Sequence, residues 1–261
     1  MTEKIIVEQT GAILRIIFNQ PEKRNAVSLE MWEAVETALT KYAPDPSVRV
    51  LIMSGAGGKA FVSGADISKF ESERSSAEAV EYYNSTTTRV YDMVEAFPKP
   101  TIAQINGFCV GGGVALSVCC DIRICGEGSA FAIPAARLGL GYGFPGINRL
   151  ANLVGPAFAK EIFFTARRYN SDEVLRMGLV NHVVEDEKVA ATAEEMASQI
   201  IGNAPMTVDA VKFIANQTRM DESQRDRKAC SDMVQACFDS ADYIEGRRAF
   251  MEKRKPIWQG K

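Results

Sequence analysis

The sequence predicts an α/β domain carrying a helical tail. Three observations lead there. Short β-branched runs alternate with segments of helical period between residue 5 and about residue 200, those helical segments carry capping and stop residues, and nothing after about Met206 reads as a strand. Residues Ile5 to Glu8 and Ala12 to Phe18, around Thr10 and Gly11, predict an antiparallel hairpin. Trp32, Val35, Leu39 and Tyr42 then recur at spacings of three and four between Ser28, a suitable N-cap, and Pro44, so an amphipathic helix follows. Val48 to Met53 reads as a buried strand. A longer helix carries the stripe Val80, Tyr83, Thr87, Val90, Val94 and Phe97 and stops before Pro98. Thr101 to Ile105 is the next strand, and a glycine-rich turn leads to a short helix near Val114 to Cys120 and a strand from Asp121 to Cys125.

Beyond Gly146 the pattern turns helical. Ser171 is expected to cap a short segment stopped by Gly178, and Val189, Ala193, Met196 and Ile200 stripe another helix. The expected organisation is an α/β core over residues 1–200 and a helical oligomerisation segment over residues 201–261. No internal repeat stands out.

Composition narrows the function. With 261 residues, 46% apolar and 24% charged, the chain can build a sizeable core, and it lies outside the disordered, collagenous and membrane-spanning classes. A net charge of -3 is the wrong sign for a general nucleic-acid binder. Cys109, Cys119, Cys120, Cys125, Cys230 and Cys237 show no CxxC spacing, which suits free thiols in a reducing compartment. Met1 to Ile5 lacks the charged-then-apolar order of a secretory signal, so a cytoplasmic location is expected. His182 is the single histidine, which leaves no imidazole pair and no expected metal site.

Two loops can carry chemistry. Gly55 to Ile67 runs from a strand into Phe61-Val62-Ser63-Gly64-Ala65-Asp66-Ile67, and Ile105 to Ala115 runs through Asn106-Gly107-Phe108-Cys109-Val110-Gly111-Gly112-Gly113 into a helix start. Helix starts offer unpaired NH donors and a positive dipole end, and two such donors can hold a developing negative oxygen. Tight packing alone is the plainer explanation of either loop taken singly. Neither loop has phosphate-loop spacing, and no GxGxxG opens a helix in the first thirty residues, so a nucleoside triphosphate or a dinucleotide is not the expected ligand.

Those two loops, together with Asn19-Gln20-Pro21-Glu22-Lys23-Arg24-Asn25-Ala26, resemble the crotonase superfamily of enoyl-CoA hydratases and isomerases. The likeness continues through Asp121 to Cys125, Gly178 to Asn181 and Glu245 to Arg254, covering nearly the whole chain. The resemblance implies a spiral of β-β-α turns with C-terminal helices that pack in trimers, usually paired into hexamers. It implies acyl-CoA thioester substrates and no further cofactor. The thioester oxygen would lie between the NH groups of Ala65 and Gly112, with Ala26, Ser63, Asp66 and Ile67 beside the CoA. Lys23 and Arg24 would meet the CoA phosphates, with solvated surface charge as the alternative. Lys253, in the run Lys253-Arg254-Lys255, would reach the CoA nucleotide of a neighbouring subunit, with solvated surface charge again the alternative.

The chain departs from the family where hydratases carry two glutamates. Those positions are Ala115 and Ala135, and Gly143 stands where some relatives place an aspartate. Tyr142 resembles the tyrosine of methylmalonyl-CoA decarboxylases, with an aromatic filling the pocket wall as the alternative, and those enzymes keep a glutamate at the place of Ala115. Three readings stay open: decarboxylation of a 2-carboxyacyl-CoA with Tyr142 orienting the carboxylate, hydration or isomerisation with a substitute base, and acyl-CoA binding without catalysis. Asp66 reads as a helix cap.

Overall fold

Gly11 turns the chain between β1 (Ile5–Thr10) and β2 (Ile13–Phe18), which pair antiparallel from Ile5 opposite Phe18 to Thr10 opposite Ile13. Its φ of +57° is a left-handed value that glycine adopts without a Cβ clash. The computed structural model describes residues 2–69 and 75–261. Next, α1 (Leu29–Tyr42) buries Met31, Trp32, Val35 and Leu39. Ser28 is its N-cap residue, but the hydroxyl makes no cap bond and lies 3.4 Å from Glu30 Oε1.

From there the chain coils. The strands β3 (Val50–Gly55) and β4 (Ala60–Val62) precede α2 (Ala77–Glu95), β5 (Thr101–Ile105) and β6 (Phe108–Val110) precede α3 (Gly112–Ser117), and β7 (Ile122–Gly126) and β8 (Ala130–Ala132) precede α4 (Phe144–Thr165). The next elements are β9 (Tyr169–Asn170), α5 (Ser171–Arg176), β10 (His182–Val184) and α6 (Val189–Ile201). Each β-β-α turn adds one strand to a sheet of order β1-β2-β3-β5-β7-β10 and one to a second sheet of order β4-β6-β8-β9. Strands added by these turns lie parallel, as β3 to β5 and β4 to β6, while the short β9 closes the second sheet antiparallel to β8. This is the expected α/β spiral.

Alternation along β3 explains why its run is apolar throughout. Leu51 and Met53 face a core shared with Phe18, Trp32, Phe61 and Val94, while Val50 and Ile52 face a second cluster with Ile102, Ile124 and the α6 residues Val189, Ala193 and Ala197. Both faces of the sheet are therefore covered.

Some local expectations change. The buried threonine of α2 is Thr86, and Thr87 is only half-buried. Asn170, not Ser171, caps α5: its side-chain oxygen accepts from Glu173 N at 2.9 Å, and Glu173 Oε2 accepts from Asn170 N at 2.9 Å. That reciprocal pair satisfies two helix-start donors at once. The helix α4 is broken at Gly155, with φ +78° and ψ 159°, just before Pro156.

The tail forms α7 (Pro205–Gln217), α8 (Arg227–Asp239) and α9 (Ala241–Met251). The last residues are tied back, since Arg254 bridges Glu245 and Glu252 while Gln259 N and Gly260 N donate to the Asp242 carboxylate at 2.6 and 2.9 Å. His182 is exposed at the start of β10. Cys109, Cys119, Cys120 and Cys125 are buried thiols, and Cys230 and Cys237 are half-buried. Among the described residues no helix is long and apolar enough to cross a membrane.

Candidate active site

The two glycine loops leave neighbouring parallel strands, β4 at Val62 and β6 at Val110. They touch: a Cβ at Gly64 would lie 3.5 Å from Val110 O, and one at Gly111 would lie 3.9 Å from Gly64 Cα. Gly64 has φ +113° and Gly111 has φ +55°, values that side-chain-bearing residues rarely adopt. Gly113 is pressed closer still, because a Cβ there would fall 2.1 Å from Val62 O.

Among the described residues, this junction leaves two backbone donors free. Ala65 forms an isolated parallel bridge with Val27, in which Val27 N donates to Gly64 O at 2.9 Å and Asp66 N donates to Val27 O at 3.0 Å. The bridge uses the groups on either side of Ala65 and turns its own NH outward. Gly112 opens α3, where the first NH groups have no helical acceptor. Among the described residues, neither NH donates to a protein acceptor.

The turn after the first hairpin is zipped onto the same loop. Lys23 Nζ donates to Asp66 Oδ2 at 2.9 Å and to Ser68 Oγ at 2.8 Å, and Ser63 Oγ donates to Lys23 O at 3.4 Å. Asp66 also accepts from Ser68 N and Ser68 Oγ, at 3.1 and 2.6 Å, capping the short 3-10 turn Ile67–Lys69. Burial pushes the Asp66 carboxyl up, but the bonds from Ser68 and Lys23 outweigh it and hold the group below its ordinary value. The turn itself rests on Asn25, whose buried side chain accepts from Gln20 N at 2.9 Å and donates to Ala56 O and Ala60 O at 3.0 and 2.7 Å. The Arg24 guanidinium lies 4.9 Å from the Phe108 ring centre, and Arg168 lies 5.5 Å from the same ring.

Thus Lys23, Arg24, Ala26, Ser63, Ala65 and Asp66 share one junction with Gly112 across from them. The side chain of Ile67 lies outside the described residues. Lys253 closes α9 in a left-handed conformation, φ +52°, and among the described residues no hydrogen bond or ion pair joins it to the loops.

Ala115 follows Gly112 on α3, and Ala135 lies in the 3-10 turn Pro134–Leu138; both are buried. Tyr142 is half-buried with its ring edge-on to Phe163 at 4.9 Å. Burial, then the neighbouring Cys119, pushes its phenol up to about 12. Burial also raises Tyr91 and Cys119. Tyr91 is not singled out by the sequence reading, although it shares a helix face with Thr87 and Val94 at spacings of four and three. Its hydroxyl donates to Gly112 O at 3.3 Å. A cavity of about 740 Å³ lies away from the loops, walled by Cys119 to Arg123, Lys212, Arg219 and Trp258.

Coiled β-β-α turns feeding two sheets, with paired glycine loops where neighbouring strands end, define the crotonase superfamily. The family model described as enoyl-CoA hydratase/isomerase matches residues 8–261, and the chain belongs to that family. It is 38% identical over 253 residues to the crotonyl-CoA hydratase of Syntrophomonas wolfei, covering 97% of this chain and 96% of that one. It is 34% identical over 266 residues to the carnitinyl-CoA dehydratase of Salmonella typhi, covering 100% of each. A crystal structure of an enoyl-CoA hydratase/carnithine racemase from Magnetospirillum magneticum superposes with a TM-score of 0.93 at 35% identity, covering 100% of this chain and 97% of that one.

Proposed function

We propose that this chain is an enzyme acting on acyl-CoA thioesters, that Ala65 and Gly112 hold the thioester oxygen through their NH groups, and that the reaction is decarboxylation of a 2-carboxyacyl-CoA. The observation that carries this reading is the pair of NH groups at touching loops that, among the described residues, meet no protein acceptor; the resemblance adds that alanines stand at 115 and 135 where hydratases carry glutamates. An enolate oxygen between two fixed NH groups is stabilised where its charge develops. Alanine can neither give nor take a proton, and removal of a general acid or base costs about 10² to 10⁴ in rate.

Decarboxylation needs no base to begin. The bond between the α carbon and the carboxylate breaks, its electron pair forms the enolate, and carbon dioxide leaves; the enolate carbon then takes one proton from solvent. Tyr142, a neutral phenol near neutral pH as any ordinary tyrosine is, would orient the departing carboxylate by a hydrogen bond without pairing it to a full charge. Arg24 and the third Nζ proton of Lys23 would meet the CoA phosphates, with Ala26, Ser63, Asp66 and Ile67 along the CoA and Lys253 reaching the nucleotide of a neighbouring subunit. All electrons stay within the substrate, so no further cofactor is required.

Turnover of methylmalonyl-CoA against crotonyl-CoA tests the reading, with Tyr142→Phe made in whichever works. The expected result is carbon dioxide release from the first, slowed in the variant, and slow or no hydration of the second. The relatives' names favour hydration as the second reading, and hydration at about 10 per second, an ordinary enzyme rate, would establish it. Affinity for acyl-CoA without product from either would make the chain a binding module.

The same proposal covers assembly and location. The tail residues Val234, Phe238 and Phe250 are exposed rather than docked on the chain's own core, and Met233 is half-buried. Together with exposed Met251 and Ile257 they suit a trimer or a pair of trimers. The four buried thiols suit a reducing compartment such as the cytoplasm.

A further inference from the structure

Three consecutive glycines make a poor mount for a catalytic donor, because each has wide backbone freedom to lose. In this chain each member of the triplet is held by a different element. Gly111 N donates to Ala132 O at 2.8 Å, at the end of β8. Gly113 is jammed against Val62 at the end of β4. Gly112 lies between them and is met from α2: the hydroxyl of Tyr91 donates to its carbonyl at 3.3 Å, and a Cβ at Gly112 would come within 3.2 Å of that hydroxyl.

The Tyr91 ring is itself fixed. It stands edge-on to Trp32 of α1, with ring centres 5.4 Å apart and planes at 81°, and its phenol, protonated near neutral pH as an ordinary tyrosine is, serves as a donor. From this geometry we propose that Tyr91 is a positioning residue for the enolate-stabilising site: its hydrogen bond to the Gly112 carbonyl aims the Gly112 NH at the thioester oxygen. The proposal rests on the reading of Ala65 and Gly112 as the oxygen's donors. The hydroxyl acts through the backbone of Gly112 and touches no reacting atom.

The test uses cinnamoyl-CoA, a conjugated thioester whose ultraviolet band moves to longer wavelength as its carbonyl is polarised. Difference spectra of the bound ligand are compared for the wild-type chain, Tyr91→Phe and Tyr82→Phe. Tyr82 is on the same helix, and its hydroxyl donates to Glu33 Oε1 at 2.9 Å on the exposed side. The expected result is a red shift in the wild type and in Tyr82→Phe, and a shift at least halved in Tyr91→Phe at a dissociation constant within about twofold of wild type. Turnover of the working substrate is expected to show kcat lowered about tenfold, the scale of one neutral hydrogen bond, with KM unchanged. A full red shift in Tyr91→Phe overturns the proposal. If Tyr91→Phe does not fold, Tyr91→Met, which fills the space without a donor, is read in the same way. Absence of a red shift in the wild type itself overturns the two-donor reading instead, so the two failures are distinct.

Discussion

Lys23 Nζ lies 2.9 Å from Asp66 Oδ2, an ion pair that joins the turn after the first hairpin to the loop after β4 across 43 residues of sequence. The carboxylate end is buried and the ammonium end is partly open to solvent, with side-chain exposures of 5% and 41%. The pair thus closes one edge of the candidate site while leaving the lysine able to meet a ligand.

Lys23→Met should make the protein more sensitive to acid. The Asp66 carboxyl lies below its ordinary 3.8 in the folded chain, so the stability it contributes is present above that value and is lost as pH falls through the folded value. Removing Lys23 takes away one of the interactions that lower it, and the loss begins at higher pH. Circular dichroism across an acid titration should show a raised unfolding midpoint, with a cost at pH 7 below about 1 kcal/mol because the lysine is solvated. An unchanged midpoint would show that the Ser68 bonds alone set the Asp66 titration.

Gly112→Pro removes one proposed donor at the first helical position, where proline is tolerated, and its Cβ also presses on the Tyr91 hydroxyl at 3.2 Å. The barrier should rise by about 2.7 to 4 kcal/mol, as for other single donors of this kind. Ala65→Ser keeps its NH and should retain most activity. Steady-state kinetics on the two variants, each checked for folding, decides the matter: equal activities would place the oxygen's donors elsewhere.

Gly113→Ala should destabilise by about 1 to 3 kcal/mol, the ordinary cost of overpacking, because the new methyl would meet Val62 O at 2.1 Å. Gly141→Ala is the matched control, with nothing within 4 Å of its Cβ. Thermal melts of the two variants should separate clearly, and coincident melts would mean that β4 yields to α3 at little cost.

Light scattering should give a mass of three or six times the 28.6 kDa protomer. Phe250 and Met251 are 82% and 80% exposed in the single chain, so charged substitutions there should lower the mass. A constant mass of one protomer over a wide concentration range would contradict the assembly.

The long elements were legible because their burial has a period. Strand β5 falls on the expected Thr101 to Ile105, and the buried face of α1 carries the expected Trp32, Val35 and Leu39. The second sheet was not legible, since β4, β6 and β8 have three residues each, too few for alternation to show. The cap of α5 was written in the spacing of Asn170 and Glu173, a capping box that the neighbouring Ser171 obscured. In the candidate site the glycines announced both loops, because their backbone demands are local. Tyr91 was silent, since the carbonyl its hydroxyl reaches lies 21 residues further along the chain. A contact made across two turns of the coil leaves no short-range pattern.

The adjacency of β4 and β6 also acts as a ruler. Parallel neighbours in a sheet lie about 4.8 Å apart, and two NH groups that each reach one oxygen at about 2.9 Å can stand no further apart than twice that reach. Loops that continue from adjacent strands therefore begin at a separation suited to sharing a single acceptor, before any side chain is chosen. The pitch of the sheet supplies the gauge, and the residues around it are free to vary in what they do to the rest of the substrate. Exchanging the lining of such a site changes its chemistry while leaving its metrics alone.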